Sequence, residues 1–179
     1  MSETEVRSIT GSKDILKILM LTGAIIGAVS IWQVWLSVGE GTMFQYIYSG
    51  YDLFTKRFGY PDTGYFIYMP LVVLLAAVPS IASSLLTFTK HERKSAVIGT
   101  FLGVVMLAAS LLYIFYPESY IWLANDVSVW TTDLRIRDHL EGGAYSALIG
   151  SMFLIIGGVS VSLKKDNDPL PISDDEFQV

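Results

Sequence analysis

Few residues in this chain could do chemistry. The two histidines are His91 and His139. The stretch Asp138-His139-Leu140-Glu141 sets two carboxylates beside an imidazole, the donor types that hold a divalent cation. No second histidine stands at H-x-x-x-H spacing, and His91 belongs to a connector expected at the other membrane face. The stretch therefore reads as a charge cluster at a helix start. The cysteine count is zero, which removes disulfides, thiolate nucleophiles and thiolate metal sites. G-x-S-x-G, H-E-x-x-H, P-loop and dinucleotide-binding glycine patterns do not occur. The serines inside the apolar blocks have no histidine at the same depth to act as a base. Neither an enzyme nor a cofactor or metal is expected.

What must position these residues is a membrane. The 179 residues suit one domain, 52% are hydrophobic and only 16% charged, and the mean hydropathy is +0.49. The net charge of −5, from 12 basic and 17 acidic residues, argues against a nucleic-acid partner, because phosphate contacts need clustered Lys and Arg. A helix crosses a bilayer core in about 20 apolar residues. Four blocks meet that length, at about 15–38, 65–89, 95–116 and 143–163. Ala28-Val29-Ser30 loosely imitates a signal cleavage site, but the apolar run continues to Val38, so the first block is read as a retained anchor. The expected fold is an all-α membrane protein, a four-transmembrane-helix bundle within residues 1–163.

Orientation follows the Lys and Arg of short loops. The connector Lys90-His91-Glu92-Arg93-Lys94 is short and basic, which places it in the cytoplasm. Arg7, Lys13 and Lys17 before the first span and Lys164-Lys165 after the last fall on the same side. Both termini are thus expected to be cytoplasmic in a multi-pass protein of the cell membrane. Two longer loops, 39–64 and 117–142, face outward. Residues 164–179 form an acidic tail with Pro169, Pro171 and Asp174-Asp175-Glu176, expected to be disordered; a docking peptide anchored by Phe177 and Val179 is the alternative.

Lipid provides no hydrophobic drive between helices, so small residues must let backbones approach. Gly23 and Gly27 form a GxxxG in the first span. Ala76, Ser80 and Ser84 repeat at four in the second, and Ser95, Gly99 and Gly103 do so in the third. Ser146 and Gly150 begin a similar stripe in the fourth, followed by Gly157-Gly158. Gly23, Gly27, Gly99, Gly103 and Gly150 are the expected packing positions. Pro79 in the second span should kink it, with Ser80, Ser83 and Ser84 nearby to bond freed carbonyls, and Pro70 could mark the start of regular helix. Apart from Lys17 the spans hold no ionisable residue, whereas pumps and proton-coupled carriers keep such groups in the membrane.

The outer boundary is aromatic. Trp32 and Trp35 end the first span, Tyr46, Tyr48, Tyr51 and Phe54 follow, and Tyr113, Phe115, Tyr116, Tyr120 and Trp122 surround the end of the third, with Trp130 beyond. This is the belt that interfacial Trp and Tyr form. Period-two runs at 42–48, 127–131 and 134–137 could pair the two loops into a short β-sheet over the bundle. Ser49-Gly50-Tyr51-Asp52-Leu53 reads as a turn in which Asp52 bonds the following backbone.

With Trp32-x-x-Trp35, Ser49-Gly50-Tyr51-Asp52-Leu53 and a final span running from Gly143-Ala144-Tyr145 to Gly157-Gly158, the chain resembles a loose group of small four-span membrane proteins of archaea and bacteria. Its layout is also similar to the claudin-type tetraspan arrangement, although that family's loop cysteine pair has no counterpart here. These resemblances imply a four-span bundle with two outward loops and carry over no catalytic residue. The expected function is that of a non-enzymatic interaction or accessory subunit. Its outward loops would meet another membrane or cell-surface protein, or a second copy, through Trp35, Tyr51, Asp52, Trp122 and Trp130. The alternative is an oligomeric channel or transporter component for a small solute. Because the chain has no native cysteine, topology can be read with single substitutions. An impermeant thiol reagent on sealed cells should label cysteines at Ser49 and Ser128 and spare one at Ser95; labelling at Ser95 alone would invert the arrangement.

Overall fold

The structure is a computed structural model that describes residues 3–38, 46–55, 61–62, 68–115, 120–123, 134–135 and 140–164. Its elements in chain order are α1 (Glu3–Val29), a 3-10 turn (Ser30–Trp32), β1 (Val34–Val38), β2 (Tyr46–Ser49), α2 (Gly50–Thr55) and β3 (Pro61–Asp62). Then come α3 (Met69–Leu86), α4 (Glu92–Phe115), β4 (Tyr120–Leu123), β5 (Leu134–Arg135) and α5 (Gly142–Leu163). Four helical segments, Lys13–Trp32, Met69–Leu86, Glu92–Phe115 and Gly142–Leu163, are long and apolar enough to cross a bilayer. They form an all-α four-helix bundle in which α1 packs on α3 and α5, and α4 on the same two, so chain neighbours are neighbours in space. This is the up-and-down arrangement that short connections favour.

The bundle is built with small residues inside and large apolar residues outside. Ala24, Ala76, Ala77, Ala96, Ala109, Ala144 and Ala147 are buried, while Leu75, Ile98, Phe101, Leu112 and Ile149 are exposed. A water-soluble bundle has the reverse distribution; an apolar exterior on all four helices is what a surrounding of lipid tails requires, and the chain is a multi-pass membrane protein. The closest approach is backbone to backbone. A Cβ on Gly23 would stand 2.5 Å from the Gly150 carbonyl oxygen and 2.6 Å from the Leu154 nitrogen. A Cβ on Gly150 would stand 2.7 Å from the Gly23 oxygen and 2.8 Å from the Gly27 nitrogen. Further along, Gly157 lies against the backbone of Leu16 and Met20, and Gly158 against Thr100 and the Ala96 carbonyl. The face of α5 is therefore split, with one strip for α1 and the adjacent one for α4.

Gly27 and Gly99 serve differently. The hollow at Gly27 receives the terminal methyl of Met106 from α4, and the hollow at Gly99 receives that of Met20 from α1. Two diagonally opposed helices thus each place a methionine over the other's glycine. Both methionines are fully buried, and together they fill the bundle axis. An unbranched thioether suits such a gap because three rotatable bonds let it conform. Gly103 meets Ile155 and Leu154 of α5.

Several boundaries differ from the sequence expectation. α1 begins at Glu3 and stops at Val29, not at 38. Ser30–Trp32 tighten into a 3-10 turn, the Gln33 N–H donates to the Ser30 carbonyl at 3.1 Å, and Gln33 turns extended. Residues 34–38, expected as the last turns of a span, instead form β1, antiparallel to β2 with a bulge between Val34 and Leu36. The β-branched and aromatic side chains of Val34, Trp35 and Val38 favour this pleated path. The stretch 49–53 is mostly the short helix α2 rather than an isolated turn. The loops do pair: β3 of the first binds β4 of the second, and β4 binds β5. β4, a run assigned only to the aromatic belt, supplies the central strand. The 127–131 run and the tail 165–179 lie outside the described residues. α3 starts at Met69 with Pro70 in its first turn, where a missing N–H costs nothing. Pro79 sits inside α3 on its exposed side; Ser80 and Ser84 bond the Ala76 and Ser80 carbonyls at 2.7 Å each. Ser83 reaches across to the Ser95 carbonyl at 2.6 Å and ties α3 to α4. Ser95 itself is buried, so exposed His91 is the better labelling position at that end.

The two kinds of glycine contact should separate in stability. Gly23→Ala and Gly150→Ala force rigid backbones apart and are expected to cost about 2–3 kcal/mol each. Gly27→Ala displaces only the end of Met106 and should cost about 1 kcal/mol or less. Unfolding in detergent measures all three; a loss at Gly27 as large as at Gly23 would mean that the methionine is not free to move.

Candidate functional site

Trp35 organises the end of the bundle that carries the strands. It sits at the β1 bulge, fully buried, and its indole N–H donates to the Ser30 carbonyl at 2.7 Å. Ser30 in turn donates through Oγ to the Gly27 carbonyl at 2.7 Å. These bonds tie the indole and the Ser30 hydroxyl to the chain at the end of α1, where the Ser30 carbonyl accepts from both Trp35 and Gln33. The Tyr113 ring of α4 meets the indole edge to face, with centroids 5.1 Å apart and planes at 74°. The Tyr113 hydroxyl is buried and finds no hydrogen-bond partner among the described residues, so the seat uses its ring. Two glycines make room. A Cβ on Gly143 would collide with the indole, and one on Gly50 would stand 2.9 Å from Nε1. The Glu141 N–H donates to the Trp35 carbonyl at 3.1 Å, and Leu36 bridges Leu140. The start of α5, the start of α2, the end of α1 and the upper part of α4 therefore converge on one side chain.

Above this seat, β2 and α2 present the exposed face. Ser49 and Asp52 cap α2 reciprocally. The Asp52 N–H donates to Ser49 Oγ at 3.1 Å, while the Ser49 N–H and hydroxyl donate to Asp52 Oδ2 at 3.1 and 2.6 Å. This is a capping box with Asp in the acidic position. Asp52 thus reaches back to Ser49 rather than on to the following backbone. Tyr51 beside it is 39% exposed and leans edge to face on Phe54, with centroids 5.4 Å apart. Ile47 on β2 is 57% exposed, while its neighbour Tyr48 is buried.

The expected partner-contacting residues divide accordingly. Tyr51 lies on the cap surface. Trp35 does not, because its whole ring is enclosed by α1, α2, α4 and α5, and its part is internal. Asp52 is engaged in the capping box. Trp122 falls in β4, in register with Asp62, and Trp130 lies outside the described residues. Trp32 is 64% exposed at the end of the span, the position of an interfacial anchor. Among the described residues no three His, Asp or Glu side chains group to hold a metal ion.

The opposite end holds a cluster of ion pairs. Lys17 is nearly buried; its Nζ lies 3.3 Å from Glu92 Oε2, 3.7 Å from Asp14 Oδ1 and 5.5 Å above the centre of the Phe88 ring. Lys13 Nζ meets Glu92 Oε1 at 2.8 Å. Glu92, at the start of α4, therefore pins α1 and neutralises Lys17, the basic group farthest along α1. Sequence reasoning missed this role. The available signal was that Lys13 and Lys17 share a helical face and that Glu92 is the only acid in the basic connector. Compared with known protein families, curated proteins and solved structures, the chain finds no match.

If Asp52 serves the cap by holding α2, Asp52→Ala should cost about 1 kcal/mol of stability. Asp52→Asn, which keeps an acceptor oxygen, should recover most of it. Chemical unfolding of the three proteins checks this; an unchanged stability in Asp52→Ala would assign the carboxylate to something outside the fold.

Proposed function

We propose that the protein is a non-enzymatic accessory or interaction subunit, anchored by its bundle and recognising another membrane or cell-surface protein through the cap. The observation that carries this reading is the sealed interior. Met20 and Met106 fill the axis, and Lys17, the charged residue farthest along α1, is paired with Glu92 and Asp14. Such a core has no group placed to select an ion or relay a proton along it. The cap, by contrast, displays Ile47 and Tyr51 on a framework braced by Trp35 and the Ser49–Asp52 box. Tyrosine on a rigid support is the kind of residue that dominates binding hot spots, since it covers a large area at low entropic cost. In this reading the cap faces outward and both termini lie in the cytoplasm.

The test is co-purification from native membranes in mild detergent. Ile47→Ser with Tyr51→Ala should abolish recovery of the partner while changing stability by no more than about 0.5 kcal/mol per site, as exposed substitutions do. Vesicles holding the purified protein should show no saturable solute flux. Flux that persists in the double variant would defeat this reading in favour of a channel formed between subunits.

A further inference from the structure

The connector between α3 and α4 is a tight basic turn at the membrane boundary. The Thr87, Phe88 and Thr89 N–H groups donate to the Ser84, Leu85 and Leu86 carbonyls, and the Glu92 N–H donates to the Thr89 carbonyl. This compact path fixes where the charges go. Glu92 turns toward α1, where Lys13 and Lys17 hold both of its oxygens. The one acid in the segment is thereby drawn to the inner side. Lys90, His91, Arg93 and Lys94 are all exposed. They line an open groove of about 690 Å³ whose remaining walls are Val97 and Ile98.

The groove is amphiphilic along the membrane normal. Arg93 and Lys94 lie one helical turn from Val97 and Ile98, so cations and apolar side chains share one face of α4. Val97 and Ile98 are each 55% exposed, and the apolar track continues through exposed Phe101 and Val104 toward mid-membrane. A ligand that fits needs a negative head at the level of the turn and a hydrocarbon chain along α4. We propose that this groove binds an anionic phospholipid of the surrounding leaflet. Its phosphate and acidic headgroup lie among Lys90, Arg93 and Lys94, and an acyl chain runs over Val97, Ile98 and Phe101. Clustered basic residues beside a membrane helix attract acidic lipids through charge, and the apolar track makes a lipid a better occupant than a soluble anion. The inward turn of Glu92 is the device that leaves the groove without an acid.

The experiment uses the full-length protein in phosphatidylcholine vesicles doped with spin-labelled phosphatidylglycerol or spin-labelled phosphatidylcholine. The motionally restricted fraction of each label reads association. Phosphatidylglycerol should associate about fivefold more strongly, the factor one Lys or Arg contributes at an anionic surface. Lys90→Gln with Arg93→Gln and Lys94→Gln should bring the ratio to unity. A salt titration of the unaltered protein needs no variant, and the preference should fall as ionic strength rises. Equal association of the two labels with the unaltered protein would overturn the proposal. So would a preference that survives both the triple substitution and high salt. Suppression by millimolar inorganic phosphate would make the groove a soluble-anion site and overturn the lipid assignment. Quantitative crosslinking of a His91→Cys variant to the acidic tail would give the groove to that tail instead.

Discussion

The backbones of α1 and α5 touch at Gly23 and Gly150, and the rest of the bundle is arranged around that contact. In lipid, two helices gain nothing from hiding apolar surface from water, because the tails are as apolar as the side chains. What remains is dispersion between closely fitted atoms, which fades within a fraction of an ångström of separation. Glycine at both positions removes the side chains that would hold the axes apart. With α1 and α5 this close, Gly157 and Gly158 bring α5 onto Leu16 and Met20 on one side and onto Ala96 and Thr100 on the other. The space left along the axis is filled by Met20 and Met106, each seated over a glycine of the opposite helix.

The same economy of volume governs the cap. Trp35 is the largest fully buried side chain among the described residues, and it is admitted only because Gly50 and Gly143 offer no Cβ. Its indole N–H donates to the Ser30 carbonyl just past the end of α1, and its own carbonyl receives the N–H that precedes α5. One residue thus ends the first helix, starts the last and orients the β1–β2 hairpin. The cap is an extension of the bundle core, and this gives Tyr51 and Ile47 a rigid base.

The ion-paired cluster of Lys13, Asp14, Lys17 and Glu92 lies at the end where α1 begins and α5 stops. A cation within a span is tolerated when it is paired and close to the boundary. Lys17 meets both conditions through Glu92 and Asp14. The pairing has a second consequence, since the carboxylate that neutralises Lys17 is withdrawn from the connector. The two ends are therefore chemically unlike, one aromatic and structured, the other basic and compact. That asymmetry suits a protein held in one orientation.

The number of spans and the small-residue faces were legible in the sequence, because each depends on summed hydropathy or on a four-residue spacing within one segment. The run at Leu134 and Arg135 was legible as a strand, but it pairs within its own loop, and the segments that join the two loops, Pro61–Asp62 and Trp122–Leu123, carried no period-two signal. Other features depend on partners remote in the chain, and only the tertiary structure decided them. The apolar run Val34–Val38 reads equally well as the end of a span; β2 and the seat of Trp35 make it a strand. Trp35 looked like an interfacial anchor, as Trp32 is, until Gly50, Tyr113 and Gly143 closed around it. Nothing local tells Gly27 that it faces a methionine methyl while Gly23 faces a backbone. Nor does the connector's sequence say that Glu92 turns inward, because that follows from where α1 places Lys13 and Lys17. Hydropathy is a property of a segment and can be summed along it, whereas contact is a property of a pair and exists only once the chain has brought the two together.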